Sequence, residues 1–203
     1  MRPAALVVIA ALVFTAFPAA AMTFEKITGP AECAARACVV ASGEIDGRDA
    51  QDFQRFARAN DIGPGDLVAL DSGGGNLVGS LALGAAFRKA GLATTVRSYD
   101  RASGGFRDTG SCASACVYAF LGGVERSVAP HARLGVHQVA AATDETWTLS
   151  ASDGQWLMSL AAVHLGRMGA KLELLTLALR TRPNDMRWLS DEELVRYDVV
   201  TAG

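Results

Sequence analysis

The chain has 203 residues and a mass of 21.2 kDa, which suits one domain of ordinary size or two very small ones. Half of its residues (50%) are hydrophobic. This composition excludes a disordered chain, because disorder requires few apolar residues and a high net charge. The formal net charge of -2 disfavours nucleic-acid binding, which needs a positively charged surface.

Residues 1–21 have the three parts of a secretory signal. One positive charge at Arg2 precedes an apolar run, a proline and three alanines, the order that a signal peptidase recognises. The alternative is an uncleaved membrane anchor, but the apolar run is shorter than the roughly 20 residues that a span needs. We therefore predict cleavage between Ala21 and Met22, and an exported mature chain, 22–203, that is periplasmic or secreted.

Downstream of this leader, strand-like and helix-like hydrophobic patterns alternate along the chain. The first predicted elements are strand 37–42, helix 49–60, strand 67–70 and a helix that ends near residue 90. They are followed by strand 94–98, a polar glycine-rich loop 99–111, helix 112–121 and strand 133–139. Beyond residue 150 the pattern is mostly helical to residue 180, with a last helix at 191–196. Strands that alternate with helices predict a single α/β domain with a largely parallel sheet.

The four cysteines can be read as a zinc site, as disulfides or as free thiols. They form two sequence-local pairs, Cys33 with Cys38 and Cys112 with Cys116. No histidine is adjacent to either pair, and the spacings are loose for zinc. An oxidising compartment favours two disulfides. Among the possible connectivities we prefer the local pairs, which requires Cys112 to lie just before the start of its helix.

Gly73, Gly74 and Gly75 connect a predicted buried strand to a predicted helix. Consecutive glycines permit a tight turn whose backbone N–H groups can donate to an oxyanion or a phosphate. The segment lacks the Lys-Ser/Thr of a phosphate-binding loop and the spacing of a dinucleotide fingerprint. The alternative is an ordinary turn between a strand and a helix.

Ser114 lies between Cys112 and Cys116, where the next predicted helix begins. A serine at such a position is either a helix cap or a nucleophile, and Cys116 is a rival nucleophile if its thiol is free. A serine nucleophile requires a histidine base and a group that orients the base.

The chain has three histidines that could supply this base. His131 follows a proline in a predicted turn and is expected to be solvated. His164 lies among apolar residues of a predicted helix, which favours a structural role. His137 lies in a predicted strand, where an imidazole is either a satisfied interior group or a base that faces a pocket.

Three segments together resemble a known family. They read DSGGGNLVGS, SCASACVYAFLGG and VERSVAPHARLGVHQ, and they are similar to segments of the Clp protease proteolytic subunit and its crotonase-like relatives. In that family a strand ends in Ser-Pro-Gly-Gly, an Ala-Ser pair begins the helix with the nucleophile, and a Pro-x-x-Arg-x-x-x-His-Gln stretch supplies the base. The resemblance runs from about residue 38 to residue 200, and the leader places the chain with exported relatives of this kind. It implies a crotonase-like (ClpP-like) α/β fold, a superhelix of repeated ββα units.

Carried over to this chain, the resemblance implies that Ser114 is the nucleophile and His137 the general base. The backbone N–H groups of Gly74 and Ala115 would bind the oxyanion. The family places an aspartate two residues before the aromatic residue of an aromatic-Leu/Met-Ser motif. Here Trp188-Leu189-Ser190 matches that motif, but Met186 occupies the aspartate's place. Asp185, one residue further away, is the candidate third member of the triad.

The resemblance also implies a function and partners. We predict a serine hydrolase, most plausibly a peptidase, that acts on peptides or small esters without a cofactor, a metal, a nucleic acid or an ATPase partner. The competing class is a catalytically idle relative that binds peptides or protein partners. Loop 99–111 is placed to act as a lid. The apolar residues of 151–180 predict either a homo-oligomer interface or a cover for the sheet, and they are Trp156, Leu157, Leu160, Leu172, Leu174, Leu175 and Leu177.

Overall fold

The computed structural model of the chain describes residues 20–139 and 150–201. The predicted leader therefore lies outside the described residues, apart from its last two alanines. The strands are β1 (Thr23–Ile27), β2 (Cys38–Ser42), β3 (Leu67–Asp71), β4 (Ala93–Val96), β5 (Ser98–Asp100), β6 (Gly105–Arg107), β7 (Ser111–Ala113), β8 (Arg126–Val128), β9 (Arg133–Val136) and β10 (Arg187–Trp188). The helices are α1 (Asp49–Ala59), α2 (Leu77–Ala90), α3 (Cys116–Phe120), α4 (Ala151–Met168), α5 (Glu173–Arg180) and α6 (Asp191–Arg196).

A five-stranded sheet in the order β1-β2-β3-β4-β8 forms the centre of the fold. Its strands β2, β3, β4 and β8 are parallel to one another, and β1 is an antiparallel edge strand. Strands β2, β3 and β4 are buried on both faces, and β2 and β3 are mainly apolar, as is typical of parallel strands covered on both sides. The prediction of an α/β domain with a largely parallel sheet is confirmed.

The two faces of this sheet are covered by different elements. The larger core cluster lies on the helical side, where Phe53 of α1 and Phe87 of α2 meet with ring centroids 4.7 Å apart. A smaller apolar cluster that includes Val40 and Leu67 lies on the opposite face, because successive strand residues point to opposite sides. Tyr99 and Phe106 pack against this smaller cluster, with ring centroids 5.8 Å apart.

The sequence predicted a loop at 99–111, and this prediction is wrong. The segment contains the β5–β6 hairpin and the start of β7. Its polar and glycine-rich composition suppressed the strand signal, and the pairing became favourable because Tyr99 and Phe106 bury their rings on the sheet. The hairpin is anchored to the face of the sheet by these two rings, and its role as a lid stays a prediction.

A second, three-stranded sheet in the order β10-β9-β7 carries the later motifs. Strands β7 and β9 are parallel, β10 and β9 are antiparallel, and an isolated parallel bridge joins Ser72 to Cys112. The predicted helix 112–121 is therefore wrong at its beginning, where residues pair as β7, and the helix α3 starts only at Cys116. The predicted strand 133–139 ends at Val136.

Both cysteine pairs form disulfides, Cys33–Cys38 and Cys112–Cys116, with Cα–Cα distances of 5.5 Å and 5.2 Å. The preferred local connectivity is thus confirmed. Cys112 lies in β7 ahead of α3, as a short disulfide at this position requires.

The apolar residues of 151–180 have divided roles. Leu174 and Leu175 are buried in the core, and Leu157 and Leu177 pack against it. Trp156 is 55% exposed. Covering the core accounts for most of these side chains, and the homo-oligomer stays a prediction.

The buried guanidinium of Arg126 links the C-terminal end of α4 to the segments that follow α3 and α6. It donates to the carbonyls of Gly123, Met168, Asp198 and Val199 at 2.7–3.1 Å. Burial lowers the pKa of Arg126 to about 10. Arg88 also donates to the Met168 carbonyl, so the carbonyls that depend on the Arg126 side chain for a side-chain donor are those of Gly123, Asp198 and Val199.

We expect Arg126→Met to lower the free energy of unfolding by at least about 3 kcal/mol, since each buried acceptor left without a donor costs about 1–3 kcal/mol. Urea unfolding followed by circular dichroism measures the change. Arg55→Met is the control, because Arg55 makes only an exposed ion pair with Asp52 and should change stability by less than about 1 kcal/mol. Equal urea midpoints for the two variants would contradict this role of Arg126.

Candidate functional site

Three of the sequence motifs meet at the carboxyl ends of neighbouring strands. Ser114 directly follows β7 and His137 directly follows β9, and these strands are parallel with Ala113 opposite Gly135. The glycine turn follows β3, whose continuation at Ser72 bridges to Cys112 of β7. Because neighbouring strands lie about 4.8 Å apart, the topology gathers the glycine turn, Ser114 and His137 at one edge.

Ser114 has a left-handed backbone conformation, with φ 56°. Its N–H donates to the carbonyl of Gly135 at 2.9 Å, and its side chain is half-buried. Ala115 holds the N-cap position of α3, which has no side-chain cap, so the interpretation of Ser114 as a helix cap is wrong. A non-glycine residue in this conformation costs about 1–3 kcal/mol and occurs preferentially at functional sites.

Gly74 lies directly against this serine. Its φ is 108°, and a Cβ added there would lie 2.7 Å from the carbonyl oxygen of Ala113, 2.9 Å from the Ser114 Cβ and 3.1 Å from the Ala115 nitrogen. Only glycine fits at this position, both because of its conformation and because of the close approach. The absence of a side chain leaves the Ala115 N–H and the Ser114 side chain next to the turn.

The backbone N–H groups of the site differ in their availability. The Gly74 N–H donates to the Ser72 hydroxyl at 3.1 Å, whereas the Ala115 N–H has no partner among the described residues. The ladder with Ile45 uses the Gly74 carbonyl and the Asn76 N–H. By the alternation of a strand, the Gly75 N–H then points away from Ile45. It also lacks a backbone partner within 20–139 and 150–201.

Gly75 is a candidate donor that the sequence reasoning missed. The three glycines were recognised as a turn, but the direction of each N–H depends on which residues pair with the neighbouring strand. The parallel bridge between Gly75 and Ile45 supplies that information, and the pattern of three identical residues does not.

His137 is half-buried, and its Nδ1 is buried without a hydrogen-bond partner in the described part of the chain. The His137 ring and the Ser114 hydroxyl form no direct hydrogen bond there, and such contacts are often long in ligand-free sites. In a Ser-His-Asp arrangement, Nδ1 is the atom that donates to the orienting carboxylate. Among the described residues, no third group occupies this position at the Nδ1 of His137.

Asp185 does not fill this position. Its residue is exposed, and the unpartnered Nδ1 of His137 makes no hydrogen bond to it. Met186 instead covers β9, because a Cβ added at Gly135 would lie 2.8 Å from both the Cγ and the sulfur of Met186. In the antiparallel register Arg187 is opposite Val136, so one further step of that register would bring Met186 level with His137. Asp185 lies before β10 in a turn, where its N–H donates to the Arg182 carbonyl at 2.9 Å.

The other proposed participants have structural roles or are exposed. His131 is exposed. His164 is buried, its Nε2 lies 2.8 Å from the Tyr118 carbonyl oxygen, and burial lowers the pKa of His164 below its ordinary value. The Cys116 sulfur belongs to a disulfide, which removes it as a rival nucleophile.

A cavity of about 460 Å³ adjoins the glycine turn and is lined by Ala20, Gly43, Glu44 and 71–75. Ala20 is the last residue but one of the predicted leader, and its carbonyl accepts the Glu44 N–H at 2.7 Å. Cleavage after Ala21 would remove this part of the rim. The cavity is the space in which a substrate chain could reach the turn.

Metal-binding clusters and membrane-spanning helices are both absent from residues 20–139 and 150–201. No group of three or more His, Cys, Asp and Glu side chains is arranged to hold a metal ion there. None of the described helices combines the length and the hydropathy of a membrane span.

The fold is similar to that of solved proteases. One is a serine-to-alanine variant of the 1510-N membrane-bound stomatin-specific protease, with a TM-score of 0.57, 17% sequence identity, and coverage of 79% of this chain and 75% of that chain. Another is a lysine-to-alanine variant in complex with a substrate peptide, with the same TM-score of 0.57 and identity of 17%, covering 79% of this chain and 71% of that chain. No protein-family model and no curated protein matches the sequence. The chain has the ClpP/crotonase-like fold, as the sequence motifs implied.

Proposed function

We propose that this chain is an exported serine hydrolase, a peptidase that works without an ATPase partner, with Ser114 as nucleophile and His137 as general base. The observation that carries the proposal is the left-handed Ser114 at the carboxyl end of β7, with Gly74 against it and β9 leading to His137 beside it. The fold shared with solved proteases supports it.

The reaction follows from these positions. The Ser114 Oγ attacks the carbonyl carbon of a peptide or ester while the His137 Nε2 accepts its proton. The resulting oxyanion is stabilised by the Ala115 N–H and by the glycine turn, through Gly74 or Gly75. His137 then protonates the leaving group, and water hydrolyses the acyl-enzyme through the same base.

Histidine rather than lysine is the base that this chain offers. One of the solved neighbours is a lysine variant, which raises the possibility of a serine–lysine pair. The lysines here are Lys26, which bonds the Asn60 carbonyl, Lys171, which bonds the Arg196 carbonyl, and Lys89, which is exposed at the end of α2. All three lie outside the edge that carries Ser114.

The export that we propose is supported by the leader-like residues 1–21 and by the two disulfides, which form and persist in oxidising compartments. An enzyme outside the cytoplasm lacks an ATP-driven unfolding partner. We therefore infer that its substrates are peptides, unfolded segments or small esters that enter unaided.

A second candidate function is supported by the Nδ1 of His137, which is buried and has no hydrogen-bond partner within 20–139 and 150–201. Without a carboxylate at that atom, the imidazole is not held in the required tautomer. The same cleft would then belong to a catalytically idle protein that binds peptides or protein partners.

Labelling with a fluorophosphonate probe decides between the two. Oxidised protein of residues 22–203 is expected to be labelled at Ser114, Ser114→Ala is expected to lose the label, and His137→Ala is expected to react at least about 10²-fold more slowly because it lacks the general base. His131→Ala, an exposed histidine, is the control and should react like the wild type.

Circular dichroism establishes that each variant is folded. A folded, oxidised wild type that takes no label would overturn the hydrolase and leave the binding protein. Equal labelling of His137→Ala and His131→Ala would remove His137 from the mechanism.

A further inference from the structure

We propose that the Cys112–Cys116 disulfide is a positioning element of this site, and that its formation converts the exported chain from an inactive to an active form. The inference rests on the proposed function, and it adds that oxidation of the two cysteines regulates the hydrolase activity. It concerns how Ser114 is held, since both cysteines are fully buried.

The disulfide encloses the candidate nucleophile. Its loop contains Ala113, Ser114 and Ala115, and its Cα atoms are 5.2 Å apart, whereas an extended segment of that length would span about 13 Å. The bond therefore requires the chain to reverse between β7 and α3. Ser114 is at the middle of this reversal and has the left-handed conformation.

Few other contacts hold this conformation. The Ser114 N–H donates to the Gly135 carbonyl at 2.9 Å, and the Ser114 carbonyl accepts the Val117 N–H at 3.2 Å. The first contact is the last bond of the β7–β9 ladder, and only the second spans the reversal between β7 and α3. Because a non-glycine residue disfavours positive φ, a chain without the disulfide is expected to relax Ser114 towards ordinary backbone angles.

The other disulfide provides a natural comparison. Cys33–Cys38 has a sequence separation of 5 and Cys112–Cys116 a separation of 4, so loop closure predicts similar contributions to stability. Cys33 and Cys38 belong to the smaller apolar cluster on the opposite face of the main sheet. Cys112 and Cys116 are fully buried in the larger core next to the site. Only the second disulfide can act on Ser114 directly.

The chemical step is a thiol–disulfide exchange. The thiols of Cys112 and Cys116 lose two protons and two electrons and form one S–S bond, while the disulfide of an oxidising protein or of oxidised glutathione is reduced to two thiols. In a reducing cytoplasm the pair would stay reduced. A peptidase with this arrangement would be inactive where it is made and would become active after export.

The first experiment compares two double variants of the chain 22–203. Cys112→Ala/Cys116→Ala and Cys33→Ala/Cys38→Ala are expected to have similar urea midpoints, but only the first should react with the fluorophosphonate probe at least about tenfold more slowly than wild type. Equal labelling rates at Ser114 in the two variants would overturn the proposal.

A second experiment uses the Cys33→Ala/Cys38→Ala variant alone, which retains only the Cys112–Cys116 disulfide. It tests the role of this disulfide even if the Cys112→Ala/Cys116→Ala variant fails to fold. This protein is refolded in dithiothreitol and then treated with oxidised glutathione, with the thiols followed by mass spectrometry. We expect labelling of Ser114 to rise at least about tenfold as the Cys112–Cys116 bond forms. Equal labelling before and after oxidation would overturn the disulfide's role, whereas an oxidised wild type that never takes the label would overturn the hydrolase itself.

Discussion

Gly74→Ala is expected to lower the rate of fluorophosphonate labelling at Ser114 by about 10²–10³, the loss that follows removal of one oxyanion donor. The added methyl group would lie 2.7 Å from the Ala113 carbonyl oxygen and 2.9 Å from the Ser114 Cβ. Both contacts are too short to persist, so the turn must move away from the serine. The φ of 108° adds conformational strain in any L-residue.

Gly73→Ala is the matched control, one position earlier in the same turn. A Cβ at Gly73 meets nothing within 4 Å, and the related family has a proline there. We expect its labelling rate to stay within about twofold of wild type, and urea unfolding checks that both variants are folded. If Gly74→Ala and Gly73→Ala were labelled at equal rates, the close packing of Gly74 against Ser114 would not contribute to the reactivity of Ser114.

Met186→Asp is expected to raise the labelling rate at Ser114 at least about tenfold. The loss of an orienting aspartate lowers kcat by about 10⁴ in a serine protease, because the histidine is then held in the wrong tautomer. Met186 covers Gly135, and one further step of the β9–β10 register beyond the Arg187–Val136 pair brings it level with His137. A carboxylate at this position can accept from the unpartnered Nδ1 of His137.

Met186→Asn separates the charge from the change of shape, since it is isosteric with aspartate and neutral. It is expected to lose the packing on Gly135 without gaining activity. Asp185→Ala should react like the wild type, because Asp185 is exposed and does not reach the Nδ1 of His137. Equal rates for Met186→Asp and Met186→Asn would contradict the proposed geometry, and a strong loss in Asp185→Ala would restore Asp185 as the third member of the site.

These two positions differ in how visible they are in the sequence. Gly74 belongs to a run of glycines after a buried strand, and this run by itself indicates either a backbone site or an ordinary turn. Met186 is recognisable in the sequence only as the residue in the place of an aspartate. That Met186 and not Asp185 faces β9 depends on the register of β10, because a shift of one residue turns every side chain to the other face.

Local patterns determined most of the fold. Apolar runs and helical periodicity predicted β2, β3, α1 and α6 to within about two residues, because these elements bury a face that repeats along the chain. The pairing of nearby cysteines was also accessible, since a short loop brings their side chains together without help from distant segments.

Contacts between distant residues decided the rest. Segment 112–121 reads as one apolar helix, but Cys112 pairs with Leu134 in β9 and bridges to Ser72, so its first residues become a strand. Ser114 is left between that strand and the helix with a positive φ. The sequence by itself indicated Ser114, His137 and the glycine run as candidates for the chemistry, and the order in which they follow one another. Only the tertiary structure decided the conformation of Ser114, the direction of each glycine N–H and which described residues lie near His137, because strand pairing between segments far apart in the chain sets these features.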